Sequence, residues 1–433
     1  MIVLGLLVAE AAAQDRGQLE LEADRLLQAM RLDPRDLDLA FAYSEVAIAL
    51  GDYEAAVGAL ERMLVLDPDL PRVRLELGAL YFRLEAYEVA RVYLDETLAL
   101  PNVPPEVEAR VRELIAAIDA RTARHAWSAN LFVGARYQTN ANAGPSSRRI
   151  DLGGIDVVLD DEVTGQADVN AFALLNGTYG YDLGTQARDT LELAGLAFGA
   201  LYAEERQLDL TVLEVDAGPR LQLAERGLPR GSIRPYVSGA MFGLDRAMYS
   251  TSIGGGLNLR LLPTERASVD LYYDLRQDDF VASSDQPTAD ERDATYQALR
   301  GVLRYALDER VVVEGTLLGA DNHAEESFRS FTEIVAGASL LLGFDAPLLA
   351  EAPPWYVGIG GTLRRVDYDR PDPLLDPATT RRDDEWRVGA SLTANVTGRA
   401  AVITRIDYRD VRSNVDLYDF DNTAVSVGFL WRF

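Results

Sequence analysis

The sequence predicts a multidomain α+β protein in which α-helical repeats precede a transmembrane, antiparallel β-barrel of about 14 strands. Three observations lead to this prediction. Residues of the first third recur at a fixed spacing that is typical of paired helices. From Trp127 onward, apolar and polar residues alternate as they do in strands with two unlike faces. The sequence ends in an aromatic-rich stretch at Phe433.

The first residues have the character of a secretory leader. Ile2–Ala9 is apolar, and the small residues Ala11 and Ala13 suit cleavage after Ala13. We therefore expect residues 1–13 to be the remnant of a signal peptide that lacks the usual basic start. The alternative interpretation is an apolar first helix of the repeat domain.

Residues 14–126 are the predicted helical domain. Matching residues recur 34 positions apart, in the pairs Tyr53 and Tyr87, Ala56 and Ala90, Leu60 and Leu94, and Leu64 and Leu98. A helix–turn–helix unit of 34 residues is typical of tetratricopeptide repeats. Leu77, Gly78 and Tyr81 fit that pattern, whereas the preceding repeat has Ser44 where a glycine is expected.

Stacked repeats of this kind form a concave surface that often holds a peptide or protein partner. The repeat register predicts that this client-binding surface is lined by Asp38, Phe41, Glu45, Arg72, Glu76, Ala79, Phe82 and Arg83. The alternative is that the domain serves only as a periplasmic spacer. The stretch from Pro105 to about Arg124 is predicted to be a last helix that leads into the barrel.

The barrel domain is predicted over residues 127–433. In Ala267–Asp278 four apolar or aromatic residues alternate with charged and polar ones, as a strand between lipid and a wet lumen requires. The predicted strands are 127–140, 167–181, 187–203, 207–223, 232–244, 248–262, 265–281, 291–307, 310–322, 328–344, 354–368, 383–396, 399–412 and 419–433.

The connections differ between the two ends of the predicted barrel. Those at one end are mostly short, whereas Ala141–Gln166, Val281–Glu291 and Asp367–Asp384 at the other end are long and acidic. Short periplasmic turns and long outer loops are typical of outer-membrane barrels. An even strand count places both ends of the barrel domain in the periplasm. Three connections do not fit this rule: Ala224–Ser232, Asp345–Pro353 and Ala203–Gln207.

The final residues resemble the β-signal that the barrel-assembly machinery reads during insertion. Its elements are Ser426, Gly428, Trp431 and Phe433. Alternate residues from Val425 to Phe433 share one face, which is predicted to lie in outer-membrane lipid with its aromatic residues at the interface. Because an open sheet edge is excluded in hydrocarbon, we expect the last strand to pair with the first.

Composition excludes several function classes. The formal net charge of −27 argues against nucleic acid as a partner. The chain has no cysteine, and its two histidines, His125 and His323, lie in different regions, so no thiolate or histidine metal cluster is expected. We find no catalytic constellation, and we expect neither a cofactor nor enzymatic activity.

Several charged groups allow two interpretations. Charges that are predicted to face the lumen could form a selectivity ladder or could simply hydrate and brace the wall; they are Asp270, Asp274, Arg276, Arg405, Asp407 and Arg409. A second acidic group could bind calcium or form a solvated outer loop; it consists of Asp151, Asp156, Asp160, Asp161 and Glu162.

The combination of a tetratricopeptide domain with a barrel of this size resembles the surface lipoprotein assembly modulator (Slam) family. The segment from Tyr137 to Pro145 is similar to that family's motif after the first strand, through Tyr137, Asn140, Asn142 and Pro145. Thr139 stands near a position where the family usually has serine. The two asparagines could shape a loop that folds into the barrel, or could be ordinary turn residues.

The resemblance implies a translocator that delivers a client lipoprotein or secreted protein across the outer membrane, with the helical domain in the periplasm. Two alternatives remain open: an exopolysaccharide exporter, and a passive porin-like barrel with a helical spacer. Neighbouring genes would discriminate between them, because a lipoprotein favours the first function and a glycosyltransferase cluster the second.

Overall fold

A computed structural model describes residues 2–433 apart from 153, 225–226, 229, 284–285 and 348–351, with side chains described from residue 16 onward, Leu152 excepted. The chain divides into two compact units, Met1–Ala123 and Arg124–Phe433. The expected leader falls on residues whose side chains lie outside the described part, where the backbone is helical from Ile2. The leader therefore stays a prediction.

The first unit is helical. Its described helices are α1 (Ile2–Leu32), α2 (Leu37–Leu50), α3 (Tyr53–Leu66), α4 (Pro71–Arg83), α5 (Tyr87–Ala99) and α6 (Pro105–Thr122). In the part of the chain that the structure describes, no helix is both long and apolar enough to cross a membrane. Helices α2, α4 and α6 begin at Leu37, Pro71 and Pro105, which are each 34 residues apart, so the predicted repeat period is confirmed.

Local chemistry sets the ends of these helices. Asp36 and Asp52 accept hydrogen bonds from the first backbone N–H groups of α2 and α3. Gly51 ends α2 in the left-handed region, at a φ of 81°, where glycine carries no steric cost. Prolines begin α4 and α6, where no backbone N–H is needed.

The repeat core depends on close helix contact. A Cβ on Gly78 would lie 2.6 Å from Leu94 Cδ2, so the Leu94 side chain packs directly against the α4 backbone and would have to move for any larger residue. Ser44 occupies the equivalent place in the preceding repeat and is fully buried. Its hydroxyl donates to the Phe41 carbonyl oxygen at 2.7 Å, so the buried polar group has a hydrogen-bond partner.

The second unit contains a closed antiparallel barrel of 14 strands, as predicted. The barrel strands are β1 (His125–Gln138), β4 (Asp168–Asp182), β5 (Thr190–Tyr202), β6 (Leu210–Gln222), β7 (Gly231–Leu244), β8 (Ala247–Thr264), β9 (Ala267–Phe280), β10 (Ala294–Ala306), β11 (Val311–Ala324), β12 (Phe331–Phe344), β13 (Trp355–Tyr368), β14 (Arg382–Asn395), β15 (Ala400–Ser413) and β16 (Phe420–Arg432). Each corresponds to one predicted strand. Strand β1 begins two residues before the predicted start at Trp127 because His125 already pairs with Tyr181.

The connection between β1 and β4 is not the simple loop that the sequence predicts. It contains a small hairpin, β2 (Arg149–Leu152) and β3 (Ile155–Val158), which forms a separate two-stranded sheet. Strands of four residues are too short to show a clear alternation in the sequence. Ile150 in this hairpin is almost fully buried, so the loop has an apolar centre of its own.

The barrel closes between its last and first strands, as expected. Pairing runs from Asn130 opposite Arg432 to Gln138 opposite Ala424. At the middle of this seam Gly134 lies opposite Gly428. A Cβ on Gly134 would lie 2.4 Å from the Val427 carbonyl oxygen, so the two backbones meet too closely for any larger residue.

The two faces of the sheet differ in chemistry, as the alternation predicts. On β9, Leu271, Tyr273 and Leu275 are exposed on the outer wall, whereas Asp270 and Asp274 point inward and are hydrogen-bonded. An outer wall of leucine, valine and aromatic residues around a polar interior is the arrangement that lipid requires.

We expect Gly134→Val to prevent closure, because its side chain would collide with backbone rather than with a mobile side chain. Folding yield after dilution from urea into detergent should fall several-fold, measured as the heat-sensitive band shift in SDS gels. Gly315→Val on β11 is the matched control, since a Cβ there meets nothing within 4 Å. Equal yields for the two variants would contradict this explanation of the seam.

Candidate functional site

The predicted client-binding residues lie on α2 and α4 as the repeat register requires. Asp38, Glu45, Arg72 and Arg83 are exposed. Arg72 Nη2 lies 3.5 Å from Glu106 Oε1 on α6, where Glu106 is the residue 34 positions later. The helical surface therefore continues onto α6, which the sequence prediction did not include, although the same 34-residue step points to it.

Glu76 is a half-buried carboxylate on this surface that interacts electrostatically with three charged neighbours. Burial raises the pKa of its carboxyl above the ordinary value, Arg83 and Arg110 oppose the rise, and Glu45 adds to it. The structure thus brings together Glu45, Glu76 and Arg83, which the sequence singled out, and adds Arg110 from α6. No ion pair of Glu76 is found among the described residues, so its charge is only partly compensated.

The apolar members of the predicted surface serve packing. Phe41 lies against the core formed by α1 to α4, and Ala79 lies against the core formed by α5 and α6. The Phe82 ring meets Tyr87 edge to face at 5.7 Å, and the Arg121 guanidinium lies 4.6 Å above it. Their predicted contact with a client therefore stays a prediction, and the charged residues are the more accessible ones.

A shared carboxylate braces the three central helices. Tyr81 and Tyr93 stack at 5.5 Å with nearly parallel rings, and both donate to Glu61 Oε1, at 3.1 and 3.0 Å. Burial, followed by the bond to Glu61, raises the pKa of Tyr93 to about 12. This contact joins α3, α4 and α5, and so holds α4, the central helix of the predicted surface, against its two neighbours.

The family-like motif after β1 shapes the long loop between β1 and β4. Asn140 is buried, its Nδ2 donates to the Gly144 carbonyl oxygen at 2.8 Å, and its Oδ1 accepts from the Gly144 N–H at 3.0 Å. Asn142 donates to the Thr164 carbonyl oxygen at 2.9 Å and accepts from the Gln166 N–H at 2.8 Å. The asparagines therefore tie the two ends of the loop together.

Neither asparagine acts as a left-handed turn residue, because the positive φ in this segment, 53°, belongs to Ala143. Pro145 is buried in the loop, whereas Tyr137 is exposed on the outer wall. The loop is also joined to the connection before β16, since the Asp151 N–H donates to Asp416 Oδ2 at 2.9 Å.

The predicted lumen charges on β9 belong to a paired network. Asp270 accepts from Arg260 at 2.7 Å, Arg276 lies 3.0 Å from Asp278, and Asp274 accepts from the Tyr236 hydroxyl. These residues brace the wall through hydrogen bonds.

Beside them lies an ion-pair group that the sequence analysis missed. Arg234, 9% exposed, lies 3.2 Å from Glu192 and also pairs with Asp216. Arg220 pairs with the same Glu192 at 2.7 Å. These residues sit on three neighbouring strands, so periodicity along one strand gives no signal for their meeting.

A second network lies on the wall formed by β12 to β15. The Glu385 side chain is 2% exposed and forms ion pairs with three arginines. Its Oε2 lies 2.9 Å from Arg409 Nη2 and 3.6 Å from Arg364 Nη1, and Arg387 is the third partner. Arg405 pairs with Asp407 at 2.7 Å. The predicted charges Arg405, Asp407 and Arg409 therefore sit in an arginine-rich group.

The β-signal residues divide between the two faces of β16. Ser426 lines a lumen cavity, and Gly428 lies beneath the Phe132 ring, where a Cβ would be 2.5 Å from that ring. Trp431 and Phe433 are exposed on the outer wall with ring centroids 6.4 Å apart. In the described residues, no group of three or more histidine, aspartate or glutamate side chains could hold a metal ion.

No family model matches the chain, and no curated protein matches it in sequence. Solved helical-repeat structures match its helical part. One is the Yersinia enterocolitica type III secretion chaperone SycD in complex with a peptide of the translocator YopD, at 21% identity and a TM-score of 0.23, covering 28% of this chain and 95% of that one.

Two further structures match a similar fraction of the chain. MamA matches at 17% identity and a TM-score of 0.23, over 25% of this chain and 61% of its own. The tetratricopeptide protein TTC0263 of Thermus thermophilus matches at 24% identity and a TM-score of 0.23, over 24% of this chain and 53% of its own. This chain thus spans less than two thirds of either protein.

We expect Glu76→Gln to stabilise the helical unit at pH 7 by up to about 1 kcal/mol, because folding then no longer desolvates an ionised carboxylate. The folded-state pKa is raised, so the stability gain should vanish below about pH 4.5, where the carboxyl is protonated in both states. Thermal melts followed by circular dichroism at 222 nm, at pH 7 and pH 4, measure this.

Glu22→Gln on α1 is the control for this pair of melts, since Glu22 is exposed and should leave the midpoint unchanged. A lower midpoint for Glu76→Gln at pH 7 would contradict the assignment of Glu76 as a destabilising charge.

We expect Asn140→Ala to loosen the loop between β1 and β4, because buried Gly144 loses both of its hydrogen bonds to the Asn140 side chain, at a cost of about 1–3 kcal/mol. The Gly144 N–H keeps only a longer bond, to Asn142 Oδ1 at 3.3 Å. Trypsin should then cut the folded protein faster at Arg148 or Arg149 within this loop. Asp156→Asn, an exposed change in the same loop, should leave the cleavage rate at its wild-type value. Unchanged cleavage of Asn140→Ala would show that the loop is held by other contacts.

Proposed function

We propose that the protein is an outer-membrane translocator or assembly factor that delivers lipoproteins or other client proteins to the cell surface. The observation that carries this proposal is the joining, in one chain, of a closed 14-strand barrel to a stack of helical repeats with an accessible charged surface. A barrel with an apolar outer wall and a polar interior is an outer-membrane architecture. Such a barrel with attached repeats fits a transport or assembly role.

The helical unit is the proposed receiver of the client in the periplasm. Strand β1 starts and strand β16 ends at the same end of an even-numbered barrel, which is the end with mostly short turns. Outer-membrane lipid surrounds the barrel, and the ending of β16 is the proposed signal for the barrel-assembly machinery. We propose no catalytic role for any residue.

The proposed client surface consists of Asp38, Glu45, Glu76 and Arg83, with Arg110. It carries both signs of charge, which suits selection of a client by charge pattern more than by buried apolar area. Glu76 supports this interpretation, because its half-buried carboxylate has no ion pair among the described residues and is available to a cationic group of a client.

Deletion of the gene, followed by protease shaving and proteomics of intact cells, tests the proposal. We expect one or a few proteins to leave the surface and stay inside the cell. In the deletion strain, a gene copy carrying Arg83→Glu should bring at least about fivefold less client to the surface than a wild-type copy. A fivefold loss corresponds to roughly 1 kcal/mol of binding free energy.

Arg25→Glu, an exposed reversal on α1, is the matched control and should restore full display. An unchanged surface proteome after deletion would refute the proposed function. Loss of a surface polysaccharide instead would identify the exporter alternative, and a loss of solute uptake alone would identify the porin alternative.

A further inference from the structure

A cavity of about 690 Å³ lies along the lumen wall formed by β1, β4 and β11 to β16. Four arginines line it, against two carboxylates; these six are Arg136, Arg387, Arg405, Arg409, Glu314 and Asp407. The formal net charge of the whole chain is −27. The lining of this cavity contains more arginine than carboxylate, so its local charge is opposite in sign to that of the whole chain.

Both carboxylates of the cavity already have cationic partners. Glu314 lies 2.6 Å from Arg304, and Asp407 lies 2.7 Å from Arg405. Neither therefore neutralises the other arginines. No carboxylate of the cavity lining therefore pairs with Arg136, Arg387 or Arg409.

Arg136 has no carboxylate partner among the residues that the structure describes. Its guanidinium lies 5.2 Å above the Phe172 ring, and Phe172 in turn meets Phe132 edge to face at 5.2 Å. Stacking on an aromatic ring holds a guanidinium plane in place while leaving its N–H edge free. That edge is suited to bind the two oxygens of a planar or tetrahedral oxyanion.

Arg387 and Arg409 are held from behind by one buried carboxylate. Glu385 pairs with both of them, so two guanidinium groups share one negative charge. Arg364 lies 3.6 Å from Glu385, but its closer partner is Glu333 at 3.0 Å. Arg409 Nε is buried without a hydrogen-bond partner in the described structure, although Arg409 lines the cavity. A buried donor of this kind is normally satisfied by an acceptor.

The wall of β4 beside Arg136 offers a second set of unpaired groups. Asn170 lies directly opposite Arg136 in the register of β1 and β4. It is 1% exposed, and neither its Oδ1 nor its Nδ2 has a partner in the described structure. A cation without a carboxylate partner thus lies beside a buried amide without partners, although Asn170 itself does not line the cavity.

We propose that this wall binds an oxyanion-bearing solute, through Arg136 on one side and Arg387 and Arg409 on the other. The ligand class is a carboxylate or a phosphate, since both present oxygens that match guanidinium groups. The inference stands independently of the client-delivery proposal, because it concerns the lumen wall alone.

The test is calorimetric titration of the full-length protein in an uncharged detergent at low salt, with citrate and inorganic phosphate as separate probes. We expect saturable binding of at least one of them, and its affinity should fall as sodium chloride is added. Arg136→Gln should weaken that binding at least about tenfold, as expected for loss of a charge-assisted contact. Arg387→Gln should weaken it as well.

Arg300→Gln is the matched control. Arg300 also lacks a carboxylate partner among the described residues and is stacked at 4.4 Å, on Tyr272, but it lines a separate cavity shared with Asp274 and Asp278. Binding should be unchanged in this variant, and the heat-sensitive band shift shows that each variant is folded.

Three results would overturn the proposal: no binding of either probe to the wild type, an equal loss in Arg300→Gln, or equally strong binding of uncharged glucose. Binding of citrate without phosphate, or the reverse, supports the proposal and identifies which source of oxyanion the wall accepts.

Discussion

Every backbone N–H and C=O group of a chain in hydrocarbon needs an internal partner, and the rest of this structure depends on that requirement. The barrel satisfies it only because β16 pairs with β1, from Asn130 opposite Arg432 to Gln138 opposite Ala424. The small residues Gly134 and Gly428 allow the two strands to meet at this seam. The Phe132 and Phe172 rings line the lumen beside them, and the Arg136 guanidinium stacks on the Phe172 ring.

The interior charges follow from the same closure. Side chains that point inward from neighbouring strands lie within ion-pair distance, so arginine and carboxylate pair across the wall. Glu192 joins Arg220 and Arg234, and Glu385 joins its three arginines. Where each charge has a partner, the ion pairs stabilise the barrel wall. Where a charge has no carboxylate partner among the described residues, as at Arg136, it remains available to bind a solute.

Periodicity predicted the two units, the 34-residue helical repeat and all fourteen barrel strands, because each depends on regular local patterns. It missed the β2–β3 hairpin, whose strands are too short for alternation. It also missed Arg136, Glu385 and Arg110, since their roles depend on neighbours that are distant in sequence. The asparagines 140 and 142 were recognised as a motif, but their bonds to Gly144 and Gln166 could not be read from composition.

The seam also has a kinetic consequence. Leu131 pairs with Trp431, so the contact that completes the barrel joins residues near the start and the end of the strand sequence. Contacts of such long sequence separation form late and slowly. A chain still emerging from synthesis, or one cut short before β16, carries two unpaired edges that invite aggregation or proteolysis. The sheet therefore cannot close its own edge until β16 is present.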